Sequence, residues 1–226
     1  MTRLARDRDT HLTPEEIAAE ALRQFDGDGG EPSIRSLAAA LHVAPSAIYH
    51  HFPSREAIFQ AAVELVWGEA TVELLRLVPE PLTADPEKVL VATGIATRRA
   101  WLAHYYLAPY MAASPEPTEF MKNALALMAN LFERLGLEGE EAVTAFHSYS
   151  AFMIGAVLFT ATRAAANERL ARERARSKSQ PPRAGDGLAS DRSRLSVDTA
   201  MEAAMDPLRD EMLFAEGLSR LVRSFG

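Results

Sequence analysis

Apolar residues recur along this chain at spacings of three and four positions, and no segment alternates apolar and polar residues as a half-buried strand would. The pattern therefore predicts an all-α protein. The first predicted helix ends at the glycines 27, 29 and 30. Later stripes and breaks predict helices at roughly 34–41, 45–51, 54–78, 86–107, 115–135, 139–170 and 207–224.

The first helix has a strong start signal. Thr13 is placed as its N-cap and Pro14 as its first helical residue, and Glu16 is spaced to complete a capping box with Thr13. Leu12 and Ile17 are spaced as a hydrophobic staple across the same start. These signals predict a helix that begins at Pro14.

Two short helices follow, joined by a turn. Ser33 is predicted to cap the first of them, which has an apolar stripe on one face. Pro45 opens the second, which runs to His51 and offers only Ile48 and Phe52 to a core. Two short helices around a tight turn, the second facing mostly outward, are typical of a helix-turn-helix, here over about 33–52.

Composition changes divide the rest of the chain. Prolines at 79, 81 and 86 mark a boundary, so we expect an N-terminal domain over 1–60, a connecting helix over 61–79 and a larger helical domain over 80–226. Arg, Lys, Ser, Pro and Gly dominate from about 167 to 196, which predicts a flexible loop. The helix at 207–224 carries a broad apolar band, which favours packing against a second chain.

The overall composition is that of a soluble globular protein. The chain has 226 residues, 48% of them hydrophobic and 24% charged, with a net charge of −7. It contains no cysteine, which excludes thiolate nucleophiles, cysteine-ligated zinc and iron–sulfur clusters. No metal site and no cofactor is predicted.

The chain shows no targeting signal. Residues 1–9 alternate basic and acidic side chains without an apolar run, so a cytoplasmic protein is expected. The segment from Ala142 to Thr162 is uncharged and about as long as the ~20 residues that span a bilayer. It contains His147, Tyr149 and several hydroxyl residues, which favour a helix buried in protein, and no membrane partner is expected.

The chemistry of the helix-turn-helix suits double-stranded DNA. No acidic residue occurs from Ser33 to Arg55, and this stretch holds two arginines and three histidines, so a local positive surface survives on an acidic chain. Short polar and aromatic side chains on such a helix can reach base edges and phosphates in the major groove. A plain surface helix is the alternative, and it leaves this cluster unexplained. The candidate DNA contacts are Ser33, Arg35, Pro45, Ser46, Ala47, Tyr49, His50, His51 and Arg55.

The DNA-binding domain of TetR-family transcriptional regulators is similar to the run LTPEEIAAEALRQFDGDGGEPSIRSLAAALHVAPSAIYHHFPSREAIF, from Leu12 to Phe59. The resemblance implies a homodimer that binds an operator through two recognition helices and releases it when a small molecule enters the C-terminal domain. The family usually has Ser or Thr where Ala44 stands, so the recognition helix loses a capping side chain. It usually has Lys where Arg55 stands. The DNA contacts implied are Arg35, Pro45, Ser46, Ala47, Tyr49 and His51.

The C-terminal half resembles the tetracycline repressors of that family in layout. If the glycines align, Phe159 falls where those repressors place a glutamate of their magnesium–drug site, and Ala151 where they place a histidine. The resemblance therefore does not carry a magnesium–tetracycline ligand over to this chain.

Candidate effector residues are aromatic and polar side chains that could line a largely apolar pocket, and ordinary core packing is the alternative for each. They are Trp101, His104, Tyr105, Tyr110, Met128, His147, Tyr149 and Phe152. Arg98 and Arg99 could also face an anionic effector. The candidate dimer contacts, chosen as small residues for close helix approach or as apolar residues of the last helix, are Ala151, Gly155, Phe214, Leu218 and Leu221.

Two other classes of function are the alternatives to a ligand-controlled regulator. A helical-bundle enzyme would need convergent catalytic groups, and the one pairing on a single helix, His147 with Glu140 or Glu141, has unsuitable spacing. The chain is therefore not predicted to be an enzyme. A helix-turn-helix adaptor controlled by a protein partner rather than by a small molecule stays open.

Overall fold

The computed structural model describes residues 12–28, 30–111, 119–178 and 207–225, and within these ranges every regular element is a helix. The all-α prediction is confirmed. The elements are α1 Pro14–Asp28, α2 Ile34–Leu41, α3 Pro45–His51, α4 Arg55–Leu77, α5 Pro86–Ala103, a 3-10 turn Ala108–Tyr110, α6 Glu119–Arg134, α7 Gly139–Lys178 and α8 Pro207–Arg223.

Local capping sets the start of the early helices. The Thr13 hydroxyl accepts a hydrogen bond from the Glu16 amide at 3.2 Å, and the Glu16 carboxylate accepts one from the Thr13 amide at 3.0 Å, which is the predicted capping box. Ser33 caps α2 by accepting from the Ser36 amide at 3.0 Å. Ala44 has no side-chain hydrogen bond to the start of α3, as predicted.

The turn between α2 and α3 is tight. His42 adopts a left-handed conformation with φ of 58°, and the Val43 amide donates to the Ala38 carbonyl at 3.0 Å. This closure brings Ile48 of α3 onto the core that α1, α2 and α4 form. The helix-turn-helix therefore packs through one side of α3 and leaves the rest of that helix outside.

Helix α5 lies at the centre of the second half of the chain. It contacts α4, α6, α7 and α8, and its buried residues include Leu90, Ala96 and Trp101. Two main hydrophobic clusters result. The first continues from the helix-turn-helix core to Trp101 and Val157 and so extends into both halves of the described chain. The second joins α5, α6, α7 and α8.

Two predicted helix ends are wrong. Helix α5 ends at Ala103 rather than at 107, because the following turns bury Leu107 and Ala108 in the first cluster. Helix α7 continues to Lys178, so the loop expected from 167 is helical over 167–178, and residues 179–196 lie outside the described part of the chain. Arg172 in this extension donates to Glu168 at 2.7 Å and to the Gly27 carbonyl of α1 at 3.2 Å.

The predicted helix over 115–135 is described from Glu119, and residues 115–118 lie outside the described part. Its C-terminus was predicted by Gly136, which has φ of 83°. The Leu137 amide donates to the Phe132 carbonyl and the Gly136 amide to the Glu133 carbonyl, which is a Schellman ending.

The stretch Gly139–Arg172 of α7 is long and apolar enough to cross a membrane by length and composition. The core helix of a soluble protein passes the same test. In this fold Tyr149, Met153 and Val157 of that stretch are buried against the rest of the chain. The helix is therefore an integral part of the second hydrophobic cluster and of its junction with the first.

Candidate functional site

The outward side of α3 carries most of the predicted DNA contacts. Ile48 is fully buried, whereas Pro45, Ser46, His50 and His51 are exposed and Ala47 is half-buried. Tyr49 is 56% exposed, a high value for a large aromatic side chain, and no core packing accounts for it. The structure thus places five polar or small side chains and one aromatic ring on a single short, solvent-facing helix.

The predicted DNA contacts outside α3 differ in whether their side chains already have a partner within the chain. Arg35 is exposed on α2. Ser33 is exposed as well, but its hydroxyl is engaged in the cap of α2. The Arg55 guanidinium lies 2.8 Å from the Glu31 carboxylate and 5.3 Å from the centre of the Phe59 ring. Arg55 therefore needs to leave Glu31, at least in part, before it can contact a phosphate.

A cavity of about 280 Å³ lies between α4, α5, α6 and α7. Two of the predicted effector residues, Met128 and Tyr149, line it. The Tyr149 hydroxyl donates to the Leu90 carbonyl at 2.8 Å, and burial raises the pKa of this phenol. The full lining is Trp67, Thr93, Thr97, Met111, Phe120, Met121, Ala124, Leu125, Met128, Phe146, Tyr149, Ser150, Met153 and Ile154.

Three other predicted effector residues do not line this cavity. Trp101 is completely buried and meets the Trp67 ring edge-on, with centroids 5.4 Å apart. Phe152 stacks on Phe214 with centroids 5.6 Å apart. His147 is exposed on the surface of α7. Their aromatic or polar character suggested a pocket, but whether a side chain lines a cavity depends on which helices meet.

His104 is also away from the cavity. Its Nδ1 lies 2.8 Å from Asp26 of α1 and its Nε2 lies 2.9 Å from Glu69 of α4. The imidazole therefore connects the end of α5 to α1 and α4 rather than to the cavity.

Tyr110 makes a second connection of this kind. Its ring packs edge-on against Phe25 and Phe59, with centroids 5.8 and 5.5 Å away, and its hydroxyl donates to Glu31. Burial, together with the nearby Glu31 carboxylate, raises the pKa of Tyr110 to about 12. The Tyr105 hydroxyl donates to Glu168 of α7. Tyr105 therefore connects the turns after α5 to α7, and Tyr110 connects them to α1 and α4.

The arginines considered for an anionic effector are paired within the chain. Arg98 is buried, forms an ion pair with Asp210 of α8 and lies over the Phe214 ring. Arg99 lies 2.6 Å from Glu211 and 2.7 Å from Glu73. Hydrogen bonding to Glu211 and Glu73 raises the pKa of Arg99. Helix α8 is thereby fixed to α5 and, through Glu73, to α4.

The predicted dimer contacts fall into two groups. Phe214 and Leu218 are buried within the chain, because α8 packs on α5 with Leu218 directly against Gly94. The expectation that these two face a partner is therefore wrong. Ala151 and Gly155 are exposed on α7, and Leu221 is half-buried.

Sequence reasoning missed Trp67 and Thr97 as cavity residues. Trp67 was assigned to a plain connecting helix, although it is one of only two tryptophans in the chain. The hydroxyl of Thr97 is the signal that could have identified it, because a pocket wall typically has a few polar groups among apolar side chains.

A helix-turn-helix with an exposed second helix, joined by α4 to a helical domain with an internal apolar cavity, defines a ligand-responsive DNA-binding regulator. Residues 17–62 match the bacterial regulatory proteins of the tetR family, and residues 79–223 match the tetracyclin repressor-like C-terminal domain. The chain belongs to the tetR family of bacterial regulatory proteins.

Solved structures with the same fold include TetR from Acinetobacter baumannii AYE, which is 23% identical with a TM-score of 0.65 over 92% of this chain and 94% of that one. ActR from Streptomyces coelicolor in complex with actinorhodin is 22% identical with a TM-score of 0.64, over 95% of each chain. The regulator SCO7222 from the same organism is 20% identical with a TM-score of 0.64, over 95% of this chain and 97% of that one. No curated protein gives a significant match to the sequence.

Proposed function

We propose that this protein is a homodimeric cytoplasmic repressor that binds operator DNA through α3 of both subunits and leaves it when a small molecule occupies the cavity. The observation that carries the proposal is the position of α4, which supplies Phe59 to the core beneath the DNA-binding helices and Trp67 to the cavity wall. The proposed role is regulatory rather than catalytic.

DNA recognition is assigned to the exposed side of α3. Ser46 can donate to or accept from a base edge, Ala47 can meet a thymine methyl, and Tyr49 and His51 can donate to phosphate oxygens. Arg35 adds a phosphate contact from α2. Because the basic residues are few, the number of phosphates neutralised is small, and affinity should fall with salt less steeply than for a strongly basic protein.

Coupling between the two sites is assigned to α4. Phe59 and Trp67 are eight positions apart, which is about 12 Å along a helix at 1.5 Å per residue. A ligand that displaces the Trp67 side chain therefore acts on the same rigid element that supports α3. In a dimer, a small tilt of α4 in each subunit changes the separation of the two recognition helices away from the ~34 Å repeat of the major groove.

The interface with the second subunit of the dimer is assigned to the outer surface of α7 and α8. On α7, Val143 is 56% exposed and Phe159 is 66% exposed, and the exposed small residues Ala151 and Gly155 lie between them in sequence. On the adjacent α8, Met212 is 73% exposed and Leu213 is 50% exposed. An exposed apolar surface on two neighbouring helices is well suited to a two-fold interface, where the same patch serves both subunits.

The test is a gel shift with DNA from upstream of the protein's own gene, at two salt concentrations and with unrelated competitor DNA. We expect a specific shift that Tyr49→Ala weakens by at least tenfold, the loss of about one good contact per subunit. Leu82→Ala is the matched control, because Leu82 is 67% exposed and lies on the turn between α4 and α5. Equal binding by both variants and the unchanged protein contradicts the assignment of α3.

A further inference from the structure

The described residues that line the cavity carry no charge. None of them is Asp, Glu, His, Lys or Arg, and the nearby Arg98 and Arg99 are paired with acidic residues of α4 and α8. An ion placed in this cavity would lose much of its hydration without gaining an oppositely charged partner among these residues, which is costly. A metal-chelated ligand would likewise find no carboxylate or imidazole among these residues.

The cavity does offer two free hydroxyl groups from facing helices. Thr97 of α5 and Ser150 of α7 line it, and neither forms a side-chain hydrogen bond within the part of the chain that the structure describes. Thr97 is also 92% buried, so bulk water has little access to this residue. The other two hydroxyls of the lining are engaged, since Thr93 donates to Val89 at 2.8 Å and Tyr149 donates to Leu90 at 2.8 Å.

The remaining wall is aromatic and sulfur-rich. Met111, Met121, Met128 and Met153 contribute flexible, polarisable thioethers that adapt to an occupant and contact rings favourably. The other large side chains are the aliphatic Leu125 and Ile154 and the rings of Trp67, Phe120, Phe146 and Tyr149. A wall of this kind favours a flat ring system over a long, charged or highly hydroxylated molecule.

We infer that the cavity binds a neutral, mainly aromatic small molecule that carries a carbonyl or hydroxyl group and holds that group with Thr97 and Ser150. The inference names the ligand class for the effector site and rests on the proposed function only in treating the occupant as the effector. Thr97 and Ser150 act by binding and orienting the polar group, and the rings and thioethers supply the apolar contact.

Three probes of nearly equal shape test this on the full-length protein by isothermal titration calorimetry. They are methyl naphthyl ketone, the naphthoate anion and isopropenylnaphthalene. We expect the ketone to bind most tightly. The hydrocarbon should bind at least about tenfold more weakly for the loss of the hydrogen bonds from Thr97 and Ser150. The anion should bind at least about a hundredfold more weakly because of its desolvation.

The variants Thr97→Val and Ser150→Ala should reduce ketone affinity towards that of the hydrocarbon and leave hydrocarbon binding unchanged. Thr93→Val is the matched control, because Thr93 lines the same cavity with a hydroxyl already bonded to Val89. A circular dichroism melt of each variant confirms that it folds. Anion binding as tight as ketone binding, or equal ketone affinity in Thr97→Val, Ser150→Ala and the control, overturns the inference.

Operator binding measured with the same probes separates this inference from the proposed function. Ketone binding that depends on Thr97 but leaves the gel shift unchanged supports the ligand class and contradicts the effector role. An intact, specific gel shift with no binding of any of the three probes overturns the ligand class and leaves DNA recognition standing.

Discussion

The Nδ1 atom of His104 lies 2.8 Å from the Oδ2 atom of Asp26, although the two residues are 78 positions apart in sequence. The other ring nitrogen of His104 lies 2.9 Å from Glu69. The imidazole therefore lies between carboxylates of two different helices. One side chain thereby joins the end of α5 to α1 and α4, the helices that carry the DNA-binding half.

Removal of this connection should lower stability. We expect His104→Ala and Asp26→Ala to be coupled by about 0.5 to 1 kcal/mol in a double-mutant cycle of urea unfolding, because the pair is only partly exposed. His147→Ala, at an exposed histidine of α7, is the control. Strictly additive effects of the two substitutions would show that the contact contributes nothing to folding.

The ion pairs of Glu73 predict that the stability of the folded protein depends on pH. Hydrogen bonds from Arg76 and then Arg99, each at 2.7 Å, lower the pKa of Glu73 to about 2. The pKa in the folded protein is below that of the unfolded chain, so this stabilisation is fully present above pH ~4.5 and is lost as the pH falls towards 2. Thermal unfolding should show a Glu73→Gln deficit that is largest near neutral pH and shrinks in acid.

The matched substitution Glu133→Gln, at an exposed glutamate of α6, should show no such trend. A Glu73→Gln deficit that stays constant from pH 7 to the acid limit of folding would argue against an ionic origin.

Gly94 of α5 is predicted to tolerate no side chain. A methyl group built there would collide with Leu218 and lie 3.0 Å from the sulfur of Met153. We therefore expect Gly94→Ala to destabilise the fold by about 1 to 3 kcal/mol through overpacking, despite the better helix propensity of alanine. Urea unfolding measures this, and Gly68→Ala on α4, where the new methyl meets nothing within 4 Å, should be neutral or stabilising.

The proposed dimer is tested at Gly155. A Cβ atom there would meet no described atom within 4 Å and Gly155 is exposed, so Gly155→Leu should leave the folded subunit intact. It should separate the subunits by preventing close approach of the two α7 helices, which light scattering during size-exclusion chromatography detects as a halved mass. Gly68→Leu is the control. A Gly155→Leu protein that stays dimeric would place the interface elsewhere.

The sequence alone determined the elements whose signals are local. The capping box of Thr13 and Glu16, the serine cap of α2 and the Schellman ending at Gly136 each depend on groups within five residues of one another, so their residue types suffice to predict them. The outward orientation of α3 was also predictable, because its sequence offers only Ile48 and Phe52 to a core, and Ile48 is the residue of this helix that is buried. The family resemblance rests on this same local stretch.

Only the tertiary structure decided the features that depend on which helices pack together. An apolar side chain such as Leu218 has the same sequence signal whether it packs on its own subunit or on a partner, and only the position of Gly94 on α5 settles that it is internal. The sequence suggested His104 as a pocket residue, whereas the fold places it beside Asp26. The cavity itself belongs to no single segment, because its walls come from four helices and their separation is fixed by the packing of all of them.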